Sequence, residues 1–347
     1  MPRRLAFTGA YAAELLDYEP SPLGPEQLRV RTAWASGKIG TTAAIFDSRA
    51  FRDKRFDPDL RIFLDDPGNS TVPTPEHPSD SGTTGVGIVE DVGAAVTRFK
   101  QGDAVFGYMD IREVNVCNQA RTFHLGALDP MTALCIEPAY VAFHCVRESN
   151  VRFGESIVVI GLGALGLLAV KMAHESGAEA VIAVDPVAER RDLAIQYGAT
   201  AVLDPRTQDT GLEVHALTGG KGADVAIELS GVYPALTDAI RSVRVAGTVC
   251  SAGFYQGDAE GVWLGREFHH NRLTMIVPHG CGWGHPPRDF PRWDGDRAYA
   301  AIASLMYQGR LDVPGLINTE IAFEETPRLF DWLKEQPGGV IKFAVKF

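Results

Sequence analysis

Two hydrophobic rhythms divide the chain. Over roughly the first 150 residues the apolar positions come in short runs bounded by glycine. "QLRVRTAWASG" alternates as a half-buried strand, and "GVGIVEDVG" and "GDAVFGY" predict short strands of a barrel-like, β-rich fold. The Pro/Ser/Asp-rich stretch "DDPGNSTVPTPEHPSDSG" between them reads as loop. From about residue 155 the pattern changes to apolar strands alternating with amphipathic helices: "SIVVIGLG", then "ALGLLAVKMAHESG", "AVIAVD", "ERRDLAIQYG" and "TAVLD". "GADVAIELSG", "AGTVCSAGF" and "LTMIVPH" continue the series. Apolar strands separated by amphipathic helices predict a doubly wound parallel sheet covered on both faces. A further helix begins near residue 295 in "DRAYAAIASLMYQG", and the closing strand "GVIKFAVKF" is expected to return to the first domain.

Length changes the picture only by allowing two domains, since 347 residues exceed one ordinary core. The hydrophobic share of 45% and charged share of 22% are those of a soluble globular protein. A net charge of −11 argues against nucleic-acid binding, which needs a basic face to displace phosphate counterions. The N-terminal "MPRRLAFTGAYAAELLDYEP" has no apolar segment of signal-peptide length, and "SIVVIGLGALGLLAVKMA" is too interrupted by glycine and lysine to span a membrane. The cysteines Cys117, Cys135, Cys145, Cys250 and Cys281 form no Cys-x-x-Cys pair, so a reducing cytoplasm is the expected compartment.

The candidate chemistry starts at "VVIGLGALG". Gly161, Gly163 and Gly166 form G-x-G-x-x-G between a predicted strand and helix, with Ala164 and Leu165 at the spacer positions. The first glycine permits a tight turn, the second lets backbone approach a pyrophosphate, and the third lets helix pack on strand. Asp185 ends the next strand, where a carboxylate accepts both ribose hydroxyls. A 2′-phosphate there would meet like charge at a cost of a few kcal/mol, so NAD is expected rather than NADP. Asp185 could also merely cap the following helix. Arg190 and Arg191 are the opposing signal, and Arg190 is read as stacking near the adenine. Ser230, Gly253 and Tyr255, after the fourth and fifth strands of the sheet, complete the candidate cofactor residues.

With "GVGIVEDVGAAVTRFKQGDAVFG", "EPA", "GLGALGLLAVKMA" and "VDPVAERRDLAIQYGA" in place, the chain resembles the medium-chain dehydrogenase/reductase superfamily over nearly its whole length. The resemblance implies a GroES-like β-rich catalytic domain (residues 1–150, completed by 287–347) and a Rossmann NAD-binding domain (151–286). It also implies a cleft active site and a homodimer or homotetramer acting on a small molecule. Zinc-dependent members carry a Cys-Gly-Thr-Asp loop and a Gly-His-Glu loop. Here the first reads "IGTT", with Ile39 for the cysteine and Thr42 for the aspartate. The second reads "GTT", with Thr83 for the histidine and Thr84 for the glutamate. Only Glu137 in "CIEPA" keeps a liganding type, and "GYMDIREVNVCNQ" offers one cysteine where a structural zinc lobe needs four. Since Zn²⁺ wants three protein ligands and an open position, no metal is expected. The closest likeness is to a zinc-free bacterial subgroup similar to alcohol and sugar dehydrogenases.

Without a Lewis acid, a side chain must protonate or hydrogen-bond the oxygen on which charge develops. Lys38 flanks the vacated ligand position and can serve as acid or base if partly desolvated, or it is a surface lysine at a strand end. Glu137 is a candidate general base, or a carboxylate paired with an arginine or capping a helix. Thr41 matches the superfamily's hydroxyl relay, or shapes a turn. His269 and His270 read as structural or interface residues, and the resemblance puts His279 and His285 where superfamily members line the substrate mouth or the dimer seam. "FDSRAFRDKRFDPDLR" gathers Arg49, Arg52, Lys54, Arg55 and Arg61, which read as a solvated helix face or as a grip for an anionic substrate group. The expected function is NAD-dependent, zinc-independent interconversion of a secondary alcohol and a ketone on a sugar, cyclitol or similar polyol. The alternatives are an enoyl or quinone reductase, a redox-neutral enzyme using bound NAD transiently, and a non-catalytic dinucleotide-binding protein.

Overall fold

The computed structural model describes residues 1–38, 40, 51–278, 290–335 and 338–347, which fall into two compact units. Unit 1 holds 1–126, 255–258 and 319–347; unit 2 holds 127–254 and 259–318.

Unit 1 is β-rich. Its strands are β1 (Arg3–Gly9), β2 (Ala12–Asp17), β3 (Gln27–Ser36), β4 (Lys54–Asp57), β5 (Ile62–Asp65), β6 (Ser79–Asp80), β7 (Thr84–Val92), β8 (Ala104–Gly107), β9 (Val114–Asn118) and β10 (Thr122–His124). The spine is β3, in which alternate residues Leu28, Val30 and Thr32 are buried while β7 pairs along nearly its whole length. From Lys54 onward the basic stretch read as a helix face is a β-hairpin instead, β4 against β5. Asp57 accepts the N–H groups of Asp59 and Leu60 to close its turn, and Phe63 packs on Phe51 and Phe56. Lys54 pairs with Asp65 and Arg55 with Asp66, so two of the five basic residues spend their charge within the hairpin.

Unit 2 carries β11 (Ser156–Ile160), β12 (Ala180–Val184), β13 (Ala201–Leu203), β14 (Ala223–Glu228), β15 (Val243–Ser251) and β16 (Thr274–Ile276). They pair in the order β13-β12-β11-β14-β15-β16, all parallel. This is the doubly wound order, in which ligands gather at the carboxyl ends of the strands. Its longer helices are α1 (Ile136–Glu148), α2 (Ala164–Glu175), α3 (Ala188–Gln196), α4 (Thr210–Leu217), α5 (Tyr233–Ser242) and α6 (Gly295–Tyr307). Helices α1 and α6 pack in this unit, with Tyr140 stacked on Tyr299 at 4.3 Å. The chain then re-enters unit 1 as β17 (Thr319–Ala322) and β18 (Phe343–Lys346), with β18 hydrogen-bonded between β17 and β3. Among the described residues no helix is long and apolar enough to cross a membrane.

Candidate functional site

At the carboxyl end of β11 the three glycines are needed for different physical reasons. Gly161 has φ +88°, and a Cβ there would also lie 2.7 Å from the Ser230 nitrogen. A Cβ on Gly166 would lie 1.8 Å from the Gly161 carbonyl oxygen, so helix α2 approaches this turn as closely as it does only because Gly166 has no side chain. Gly163 meets nothing within 4 Å, so its bare face borders open space. It is the N-cap of α2 and supplies no side-chain cap, which leaves the helix start, with Ala164 and Leu165, suited to an anion. These features fit a pyrophosphate.

Asp185 follows β12 and is 4% exposed. Its Oδ2 accepts the Leu162 N–H at 2.7 Å and its Oδ1 the Val187 N–H at 2.8 Å. Each oxygen retains a lone pair, so the carboxylate is held in place and can still accept a ribose hydroxyl. Arg190 lies 3.8 Å from Asp185. Arg191 faces the neighbouring strand end, where Asp204 also receives Arg206. Charged hydrogen bonds from Arg206 hold the Asp204 carboxyl well below the usual carboxylate range.

Ser230 and Gly253 come together at the ends of β14 and β15 through a residue that the sequence does not single out. Glu228, fully buried, accepts the Ser230 N–H at 2.6 Å, the Ser230 hydroxyl and the Gly231 N–H at 3.2 Å. Its carbonyl accepts the Gly253 N–H at 3.1 Å. Its only sequence signal is an acidic residue ending an apolar strand directly before Ser-Gly. Tyr255 groups with unit 1, apart from the unit holding the glycine turn.

In unit 1, Ser36, Gly37 and Lys38 run beside the "GTT" segment. Ser36 pairs in register with Thr84, and the Thr83 N–H donates to the Ser36 carbonyl at 2.9 Å. The Ser36 hydroxyl donates to Phe343 O at 2.6 Å, and the ammonium of buried Lys342 donates to Gly37 O at 3.3 Å. Lys38 is half-buried. The hydroxyl oxygens of Thr83 and Thr84 are buried and have no hydrogen-bond partner among the described residues. Thr41, Thr42, Ile39, Arg49, His279, His285 and Cys281 lie outside the described residues. Glu137 belongs to unit 2, in the first turn of α1, and is 4% exposed. His269 and His270 are exposed on a short helix, Glu267–His270. A groove of about 740 Å³ in unit 1, lined by Thr32, Ile88, Glu113, Phe323 and Phe347 among others, contains none of the candidate residues. Among the described residues no three His, Cys, Asp or Glu side chains group as a metal site.

The family described as "Zinc-binding dehydrogenase" matches residues 164–293. A D-guloside 3-dehydrogenase of Escherichia coli (strain K12) is 32% identical over 351 residues, spanning 99% of this chain and 100% of the relative. Among solved structures, the 2R,3R-butanediol dehydrogenase of Bacillus subtilis has a TM-score of 0.76 at 20% identity, covering 100% of both chains. A protein of Sinorhizobium meliloti 1021 solved with NADP bound has a TM-score of 0.75 at 21% identity, over 100% of this chain and 99% of that one. The GroES-like plus Rossmann architecture read from the sequence is thus the observed one. With a full-length relative at this identity, the chain belongs to the zinc-binding dehydrogenase family of the medium-chain dehydrogenase/reductase superfamily, whose enzymes are dinucleotide-dependent oxidoreductases.

Proposed function

We propose that this chain is an NAD-dependent oxidoreductase that interconverts a secondary alcohol and a ketone on a sugar or similar polyol, and that it does so without a catalytic zinc. The observation that carries the substrate class is the D-guloside 3-dehydrogenase relative, similar from end to end. The cofactor choice rests on Asp185, whose carboxylate favours ribose hydroxyls and repels a 2′-phosphate.

The family name implies zinc, and the donor set does not fit it. Three hydroxyls, Thr42, Thr83 and Thr84, and the isoleucine Ile39 stand at four positions of the two loops, leaving Glu137 as the one carboxylate. Neutral threonine hydroxyls are poor zinc donors beside thiolate and imidazole, and one carboxylate does not make a site.

NAD, when bound, supplies the hydride acceptor. The protein's own residues must then remove the hydroxyl proton in oxidation and return it in reduction. Glu137 takes the proton as general base. Lys38 donates a hydrogen bond to the oxygen as charge grows there, the role zinc fills elsewhere in the family. Thr41 relays the proton.

Protein purified without chelator tests both parts: sugars, glycosides and polyols are offered with NAD, with reduction followed at the nicotinamide absorbance and zinc measured on the same sample. The expected result is NADH formation with a secondary-alcohol sugar at a zinc content far below one per chain. Near one zinc per chain, with activity lost on its removal, would overturn the metal-free mechanism. Absence of NAD reduction across the substrates would overturn the assigned reaction.

A further inference from the structure

The carboxyl ends of β12 and β13 carry more charge than a ribose site needs. Val184 pairs in register with Leu203, so Asp185 and Asp204 leave adjacent strands side by side, and the Asp185 N–H donates to Leu203 O at 3.3 Å. Three guanidinium groups gather on these two carboxylates. Arg190 approaches Asp185. Arg191 donates to the Asp185 carbonyl at 2.7 Å and pairs with Asp204 at 3.3 Å. Arg206 grips Asp204 in a fork, at 2.7 and 3.0 Å, and adds its own backbone N–H at 3.0 Å.

An arginine beside the ribose carboxylate is the residue that accommodates a 2′-phosphate. Arg191 is tied to the main chain of Asp185 itself, and Arg206 shares the Asp204 carboxylate with Arg191. If both guanidinium groups were at liberty, three cations would face one anion and the preference set by Asp185 would be undercut.

We propose that Asp204 is a second determinant of cofactor choice: it holds Arg191 and Arg206 to itself, so that neither is available to a 2′-phosphate and Asp185 decides alone. This rests on the NAD reading above. It differs from a merely structural ion pair in one measurable respect. A structural tie changes the binding of NADH and NADPH together, whereas a brake on two arginines changes NADPH binding alone.

The test is direct binding of NADH and of NADPH, by nicotinamide fluorescence or calorimetry, to the wild type, D204N and D204N/R191M. D204N keeps the side chain's shape and one acceptor oxygen and removes its charge. If D204N does not fold, D204S retains a hydroxyl acceptor for the Arg206 N–H and takes its place. The wild type is expected to bind NADH more tightly. D204N should tighten NADPH about tenfold, the worth of one freed charge-assisted hydrogen bond, with NADH unchanged within about twofold. Adding R191M should remove most of the gain. An unchanged NADPH affinity in D204N, or equal weakening of both cofactors, overturns the role of Asp204 and leaves the NAD reading intact. A wild type that binds NADPH more tightly overturns the NAD reading and the brake with it.

Discussion

Two loop regions of this molecule carry the family's functional positions, and they are held by opposite means. At Gly161–Gly166 in unit 2 the constraint is the absence of side chains: an added Cβ would strike the Ser230 nitrogen or the Gly161 carbonyl. At Ser36 and Thr83–Thr84 in unit 1 the constraint is the backbone ladder, through the Ser36–Thr84 register pair and the Thr83 N–H on Ser36 O. A ladder bond is indifferent to what the side chain is. Metal-ligand positions on such a ladder can exchange their chemistry while the backbone stays in place, whereas a turn built on missing atoms cannot be rewritten without moving the helix. The difference accounts for glycines kept at 161, 163 and 166 in the same chain as threonines at 83 and 84.

The largest effects should come from the glycine turn, where two neighbouring substitutions separate packing from binding. G166A places a methyl 1.8 Å from a carbonyl oxygen and should cost about 3 kcal/mol of stability together with dinucleotide binding. G163A meets nothing in the protein, so its stability should change by less than about 1 kcal/mol, while its NADH affinity should fall at least about tenfold. Thermal melts and NADH titrations on both variants check this. A G163A protein that binds NADH normally would show that the open face at Gly163 is not where the pyrophosphate lies.

Next in size are the residues asked to replace the metal. K38M and E137Q should each lower kcat/KM by about 10²-fold or more, in line with the worth of a positioned acid or base, and leave NADH affinity as it was. Near-normal turnover in both would sink the proposed proton chemistry. E137Q alone being silent would move the base to the hydroxyl relay at Thr41.

How much of this was legible beforehand follows the same division. The glycine turn and Asp185 are local: a strand, three glycines at fixed spacing and an acid at the next strand end stand in one stretch of sequence, and Asp185 accepts the Leu162 N–H within that turn. Glu228 and Asp204 have local partners in Ser230 and Arg206, but Gly253 meets Glu228 and Arg191 meets Asp204 across strand ends, so those contacts depend on sheet register and cannot be counted along the chain. The basic stretch around Lys54 failed for another reason. Its charges were read as a solvated helix face, but Asp57 closes a turn and three phenylalanines cluster, which favours a hairpin. Helices α1 and α6 bury aromatic faces on one another, a long-range match that no local pattern announces.

The smallest expected effect lies inside the rewritten loop and has opposite signs at two paired residues. Ser36 and Thr84 face each other in register, and both are fully buried. The Ser36 hydroxyl donates to Phe343 O at 2.6 Å, tying β3 to the closing strand, whereas the Thr84 hydroxyl has no partner among the described residues. Removing a made bond costs about 1 kcal/mol, so S36A should lower the melting temperature by a few degrees. T84V keeps the shape and takes away a buried oxygen with nothing to bind, so it should raise stability by up to about 1 kcal/mol. Melts of S36A and T84V side by side decide the matter: a destabilised T84V would mean that the hydroxyl is satisfied in solution, and the indifference of this ladder to its side chains would then fail at the one position where the sequence departs from the family by a glutamate.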